Sequence, residues 1–186
     1  IKALSAIWHR GAVDADGKTG DGAGIHVQIP VAFFEDQVRR TGHALRQGPI
    51  AVGQVFLPRT DFAAQERCRT IVETEVLRMG HYIYGWRHVP VNTAVLGEKA
   101  NATRPEIEQI LIRCEKDIDQ EAFERELYII RRRIERAAVA AHVQVQRAAH
   151  RLQAFHVDDR HHAQPRQRAQ RVAVVIETAG VGECRL

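Results

Sequence analysis

Strand-type runs interspersed with helical periods predict a mixed fold of strands and helices, α+β or α/β, which pattern alone does not separate. Three observations carry this expectation. β-branched runs at 25–30, 50–57 and 81–91 read as strands. Apolar residues recur at helical spacing after Asp61. The chain has 186 residues, 45% apolar and 27% charged, which suits one globular domain burying about 70% of its unfolded surface.

Taken in order, the first feature is a run that cannot be regular, IWHRGAVDADGKTGDGAGI from Ile7 to Ile25. Each of its glycines would cost a helix or strand roughly 0.5–1 kcal/mol relative to alanine. It reads as a tight connection that brings backbone close to something and then feeds a strand at Ile25–Pro30. Ile50–Leu57 is a second strand, with Gly53 marking a bulge or close approach. Asp61 caps a helix running through Arg78, with Ala64, Cys68, Ile71, Val72, Val76 and Met79 on one face and Gly80 at its end. His81–Val91 is a strand with aromatic content. Thr103-Arg-Pro-Glu106 reads as a helix start with Pro105 in its first turn, followed by Ile107, Ile110 and Leu111. Leu127-Tyr-Ile-Ile130 is a short apolar run that fits a buried strand or a helix.

The motifs then group. HRGA at 9–12 followed by DADGKTGDGAGI, IPVAFF at 29–34, IAVGQVFLP at 50–58 and FERELYIIRRRIE at 123–135 stand in one order. Together they resemble the class II glutamine amidotransferase domain of glutamate synthase, large subunit, from about Ala3 to about Ala138. The resemblance implies an α+β fold, an incomplete four-layer αββα sandwich of the N-terminal-nucleophile hydrolase type, with residues 1–138 as a partial domain. In that family the LYII segment leads into further core strands.

Residues 139–186 are of another composition. Ala, Arg, His, Gln and Val make up 37 of the last 50 residues, and Lys, Ser, Asn, Tyr, Trp and Met are absent from them. A shifted coding frame in a GC-rich gene fits this text best; a natural basic, disordered tail is the alternative. Within it, Val172–Ile176 is the one strand candidate, and alanine and arginine favour a helix over 137–154.

The resemblance also implies a chemistry. Class II amidotransferases use an N-terminal cysteine whose own α-amine accepts the thiol proton, an amine that titrates near pH 8. Here residue 1 is Ile, and the cysteines stand at 68, 114 and 184. Cys68 falls on the apolar face of a helix, as a small buried hydrophobe; Cys114 follows the helix expected after Thr103. The family's glutamine-binding arginine and Asn-Gly oxyanion pair are absent, since Asn occurs only at 92 and 101. An oxyanion donor contributes on the order of 10²–10³ in rate, so the chain is expected to be inactive as a glutaminase. What remains are residues that support the site. His9, Arg10 and Gly11 match the family's HRG segment, with the Arg10 guanidinium suited to ordering the site or to a structural carboxylate pair. Asp21, beside Gly22, is a turn former rather than a base.

Other motifs weigh less. Gly17-Lys18-Thr19 lacks the earlier glycine of a phosphate loop. His81 and His88 lie seven apart, on opposite faces of a strand, and suit no shared metal. Arg131–Arg133, flanked by Glu124, Glu126 and Glu135, reads as a solvated ion-paired face. The net charge is +4, yet residues 1–136 carry 20 Lys+Arg against 19 Asp+Glu, so the basicity belongs to the tail. Nucleic acid is therefore an unfavoured partner. No run approaches the ~20 apolar residues of a membrane span, no signal-peptide pattern opens the chain, and three scattered cysteines suit a reducing, cytoplasmic setting. The sequence begins at Ile1 rather than methionine, which leaves the start of the natural chain open.

The expected function is therefore a fragment of a glutaminase domain that releases ammonia from glutamine for glutamate synthesis from 2-oxoglutarate. Glutamine, the remaining domains and the small subunit of glutamate synthase are the implied partners. No cofactor is expected in this chain; the resemblance places FMN and an iron–sulfur cluster in later domains. The rival is a non-catalytic binding protein whose basic tail contacts nucleic acid or another acidic partner, though Phe155 is the tail's only aromatic for stacking.

Overall fold

The computed structural model describes residues 13–20 and 28–141, the backbone of 144–145 and 171–178, and two isolated positions, 2 and 6. These divide into two units. The larger, built from 28–89, 106–148 and 168–186, is a five-stranded sheet with helices, an α+β arrangement.

Its elements are α1 (Val31–Arg40), β1 (Ile50–Leu57), α2 (Phe62–Arg78), β2 (Tyr82–His88), β3 (Glu106–Arg113), α4 (Gln120–Ala140), β4 (Gln144–Val145) and β5 (Arg171–Thr178), with the short α3 (Glu98–Thr103) in the smaller unit. The strand order is β2-β3-β1-β5-β4. β1 pairs antiparallel with β3 from Ile50–Arg113 to Leu57–Glu106, and with β5 from Ala51–Thr178 to Phe56–Ala173; only β4–β5 is parallel. The tail's strand candidate, 172–176, thus lies within β5.

Alternation along β1 and β3 divides the core in two. Ala51, Val55, Leu57, Ile110 and Ile112 meet Cys68, Val72 and Val76 of α2 and Phe123, Leu127, Ile130, Ile134 and Ala138 of α4. Each fully buried large apolar side chain contributes about 1.5–3 kcal/mol. On the opposite face Ile50, Val52, Leu111 and Tyr84 meet Phe34 and Val38 of α1.

Local signals explain most boundaries. Asp61 and Asp119 cap α2 and α4 by accepting from the Ala64 and Ala122 amides at 2.8 and 2.7 Å. The end of α2 is a Schellman turn: the Gly80 N–H bonds the Leu77 carbonyl, the His81 N–H bonds the Val76 carbonyl, and Gly80 has φ +74°.

Several expectations are corrected. No helix starts at Thr103: α3 ends there, Arg104 is extended before Pro105, and Glu106–Arg113 is β3. Its β-branched run is buried on both faces, which removes the alternation that marks a strand and leaves a false helical spacing. Cys114 consequently follows a strand. Leu127–Ile130 is mid-helix, because Phe123, Leu127, Ile130 and Ile134 recur every three or four residues. Gly53 sits in unbroken register between β1 and β3, and the irregularity falls instead at 83–85 in β2, where Gly85 has φ +130°. Of the strand expected at 25–30, residues 25–27 lie outside the described residues, and 28–30 belong to no strand. Pro30 instead precedes α1, a helix the sequence reading did not anticipate although Phe34 and Val38 are one turn apart.

Candidate functional site

The site residues expected from sequence, His9, Arg10, Gly11, Asp21 and Gly22, all lie outside the described residues. The loop that separates them in sequence is described. Val13 and Gly20 form an antiparallel bridge, and between them the Asp14 N–H bonds the Thr19 carbonyl at 2.6 Å while the Gly17 N–H bonds the Asp14 carbonyl at 2.9 Å. Gly17 sits at φ +67°, a conformation that disfavours a side chain.

Asp16 organises this loop. Its carboxylate accepts from the Lys18 and Thr19 amides at 2.9 and 2.6 Å and from the Thr19 hydroxyl at 2.5 Å. Those bonds hold its pKa down to about 2, the Thr19 hydroxyl contributing most. Because the folded pKa is depressed, this contribution is present above the ordinary value near 3.8 and is lost as pH falls through about 2. The amides that a phosphate would need after Gly17 are thus already occupied. Asp14 pairs with Lys99 at 2.6 Å, which lowers its pKa. A Cβ on Gly97 would run into Thr19 and Asp16, so the loop and the start of α3 fit only with glycine there. The aspartate turn chemistry expected of Asp21 is performed, among the described residues, by Asp16.

In the larger unit the polar groups gather on the sheet face toward α1. Arg113, with 5% of its side chain exposed, donates from Nε to the Tyr84 hydroxyl at 3.1 Å and from its terminal nitrogen to the Gly48 carbonyl. The same hydroxyl accepts from the Arg46 amide at 2.8 Å. Arg46 stacks 3.7 Å from the centre of the Tyr82 ring and pairs with Glu115 at 2.9 Å, which raises its pKa. Farther along, Arg87 donates to Gln109 at 2.8 Å and Gln109 donates to Gln54 at 3.3 Å, a rung crossing three strands. Sequence reasoning missed this network. Its one signal was the Tyr82-x-Tyr84 alternation, which places both rings on one face.

None of these groups is an activated nucleophile. Cys68 and Cys114 are free and buried, and burial pushes the Cys68 thiol up to about 11, away from thiolate. Both asparagines serve local structure: Asn92 caps a 3₁₀ turn at Thr93–Val95, and Asn101 accepts from Arg104 at 2.8 Å. His81 is buried beside Glu126 at 2.8 Å, whereas His88 is exposed beside Glu106 at 3.1 Å, so the two do not share a ligand. Arg131 and Arg132 pair with Glu135, and Arg133 pairs with Glu75 of α2 at 2.5 Å; the ion pairing is as expected, but Arg131, Glu135 and Glu75 are largely buried rather than solvated. Among the described residues, no cluster of three or more His, Cys, Asp or Glu side chains is arranged to hold a metal. Among the same residues, no helix is long and apolar enough to cross a membrane.

An α+β arrangement in the larger unit and a glycine-rich aspartate loop in the smaller agree with the family comparison. Residues 1–153 match the class II glutamine amidotransferases, and the chain belongs to that family, whose fold is that of the N-terminal-nucleophile hydrolases. Within it the chain is 65% identical over 137 residues to the glutamate synthase [NADPH] large chain of Azospirillum brasilense, covering 74% of this chain and 9% of that one. It is 38% identical over 139 residues to the chloroplastic ferredoxin-dependent glutamate synthase of Spinacia oleracea, covering 74% and 8%. It is 36% identical over 140 residues to the glutamate synthase [NADPH] large chain of Bacillus subtilis (strain 168), covering 73% and 9%. The chain spans roughly a tenth of the length of these relatives.

Proposed function

We propose that this chain is a piece of the glutaminase domain of a glutamate synthase, a domain that releases ammonia from glutamine for the synthesis of glutamate from 2-oxoglutarate. The 65% identity over 137 residues carries the reading. In this reading the sheet with α2 and α4 is one half of a four-layer αββα sandwich. His9, Arg10, Gly11, Asp21 and Gly22 support the glutamine site without touching the reacting bond. Glutamine, the further domains with their FMN and iron–sulfur cluster, and the small subunit are the partners, in the cytoplasm. Residues 139–186 stand apart from that domain in composition.

A polypeptide of these 186 residues does not itself hydrolyse glutamine. Acyl transfer needs an activated nucleophile and oxyanion donors. The sequence contains no Asn-Gly pair, and the two described cysteines are buried in apolar surroundings. Glutamate release from glutamine, read in a coupled dehydrogenase assay, should not rise above a heat-killed control. Release above that control would defeat the inactivity reading.

A further inference from the structure

We propose that His81, Glu126 and Lys116 form an acid-sensitive latch: with the imidazole neutral it fastens the first turns of α4 to the end of α2, and protonation of the imidazole releases it. His81 is placed by the Schellman turn that ends α2, where its N–H bonds the Val76 carbonyl. Its side chain is 0% exposed, and its ring packs edge-on against Phe123 of α4 at 5.1 Å between centres.

The polar surroundings are few. From α4, Glu126 places Oε2 2.8 Å from Nε2, and from the segment after β3, Lys116 gives both Glu126 oxygens a 2.8 Å bond. Just after β3 comes Cys114, one position beyond the Tyr82–Arg113 pair, and α2 contributes the Val76 carbonyl. The Lys116 stem lies alongside Gly80.

One carboxylate therefore faces two bases, and Lys116 already holds both of its oxygens. The neutral ring fits this arrangement through its edge-on packing against Phe123, with both ring nitrogens unpaired but no charge to bury. An imidazolium does not fit: it has N–H donors at both nitrogens, yet Nδ1 is buried with no partner and Nε2 is poorly aligned for a hydrogen bond. It would also place a second cation, on a ring with 0% exposure, beside an anion that Lys116 already neutralises. Burial, foremost, and the Lys116 charge accordingly lower the His81 pKa, against the opposing pull of Glu126. The sign follows. A histidine depressed in the fold binds its proton more readily unfolded, so stability falls as pH drops below the ordinary value of about 6.5.

The test compares the full chain with its His81→Leu variant, which keeps an apolar contact to Phe123 and cannot titrate. Between pH 7.5 and 5.0 the unfolding equilibrium constant, from urea titration, should rise more for the natural chain, by up to about thirtyfold for one linked proton. The other histidines cancel in the comparison. Equal acid responses, within twofold, would overturn the proposal. Should His81→Leu fail to fold, the imidazole Cε1–H of the natural chain, assigned through its contact with the Phe123 ring, supplies the readout by NMR. A midpoint below 6.5 that moves upward in Lys116→Met supports the latch; a midpoint at or above 6.5, or one indifferent to Lys116, overturns it.

Discussion

The two faces of the central sheet are closed by different physics. Toward α2 and α4, neighbouring residues such as Val55, Ile110, Ile112, Phe123 and Ile130 have no exposure and no polar side-chain atoms. Charge on that side is confined to its margins, as in the bidentate Arg69–Glu108 bridge and the Glu75–Arg133 bond. Toward α1 the apolar part is small, and one end is closed by the Arg113 guanidinium, the Tyr84 hydroxyl and the Gly48 carbonyl. Apolar burial is tolerant of shape and scales with area, whereas a buried arginine network holds only while each partner remains. The first face should therefore carry most of the stability, and the second should fix the 41–49 loop in one arrangement.

The largest effect is expected from the first face. Phe123→Ala should cost about 3–5 kcal/mol, seen as a large fall in the urea midpoint, because it opens a cavity beneath α4. On the second face, Arg113→Met should cost about 1–3 kcal/mol by stranding the Gly48 carbonyl and removing one of the two bonds to the Tyr84 hydroxyl. Gly48→Ala tests the same corner from the backbone side. Gly48 has φ +102°, and an added Cβ would lie 2.6 Å from the Cys114 carbonyl oxygen, so destabilisation of about 1–3 kcal/mol is expected by thermal unfolding. If Arg113→Met cost more than Phe123→Ala, the division between the faces would be wrong. Below these, Asp61→Ala should remove the α2 cap for about 1 kcal/mol, read by the same urea titration. Arg125→Ala, which breaks an exposed pair with Glu121 one helical turn away, should change stability by less than about 0.5 kcal/mol.

How far the sequence revealed this depends on which force set each element. The apolar face was legible wherever one element buries one side: Asp61, Cys68, Val72 and Gly80 announced α2 from cap to terminator. β3 was not, because Ile107, Ile110, Leu111 and Ile112 serve both faces of a central strand, and a strand buried twice loses its alternation. α4 was half legible, since four apolar residues in a row concealed the longer period from Phe123 to Ala138. The polar corner was unreadable for a different reason. Arg113 and Gly48 are 65 residues apart in sequence, and their bond exists only once the β1–β3 register is set. The family motifs were legible as text, and among the described residues the loop between them is shaped by Asp14 and Asp16, which the motifs did not single out.

On neither face do the described residues hold a thiol that chemistry could use, since Cys68 and Cys114 both belong to the first face's apolar cluster. That claim, cysteines kept for packing and not for catalysis, is tested most directly by alkylation. The folded chain at pH 7.5 is exposed to iodoacetamide and quenched, and labelling at Cys68 and Cys114 is read by peptide mass spectrometry. The account predicts that both stay unlabelled until urea unfolds the chain, because the Cys68 thiolate is suppressed by a pKa near 11 and both sulfurs are shielded. Labelling of either cysteine in the native chain at or above the rate of free cysteine would contradict it.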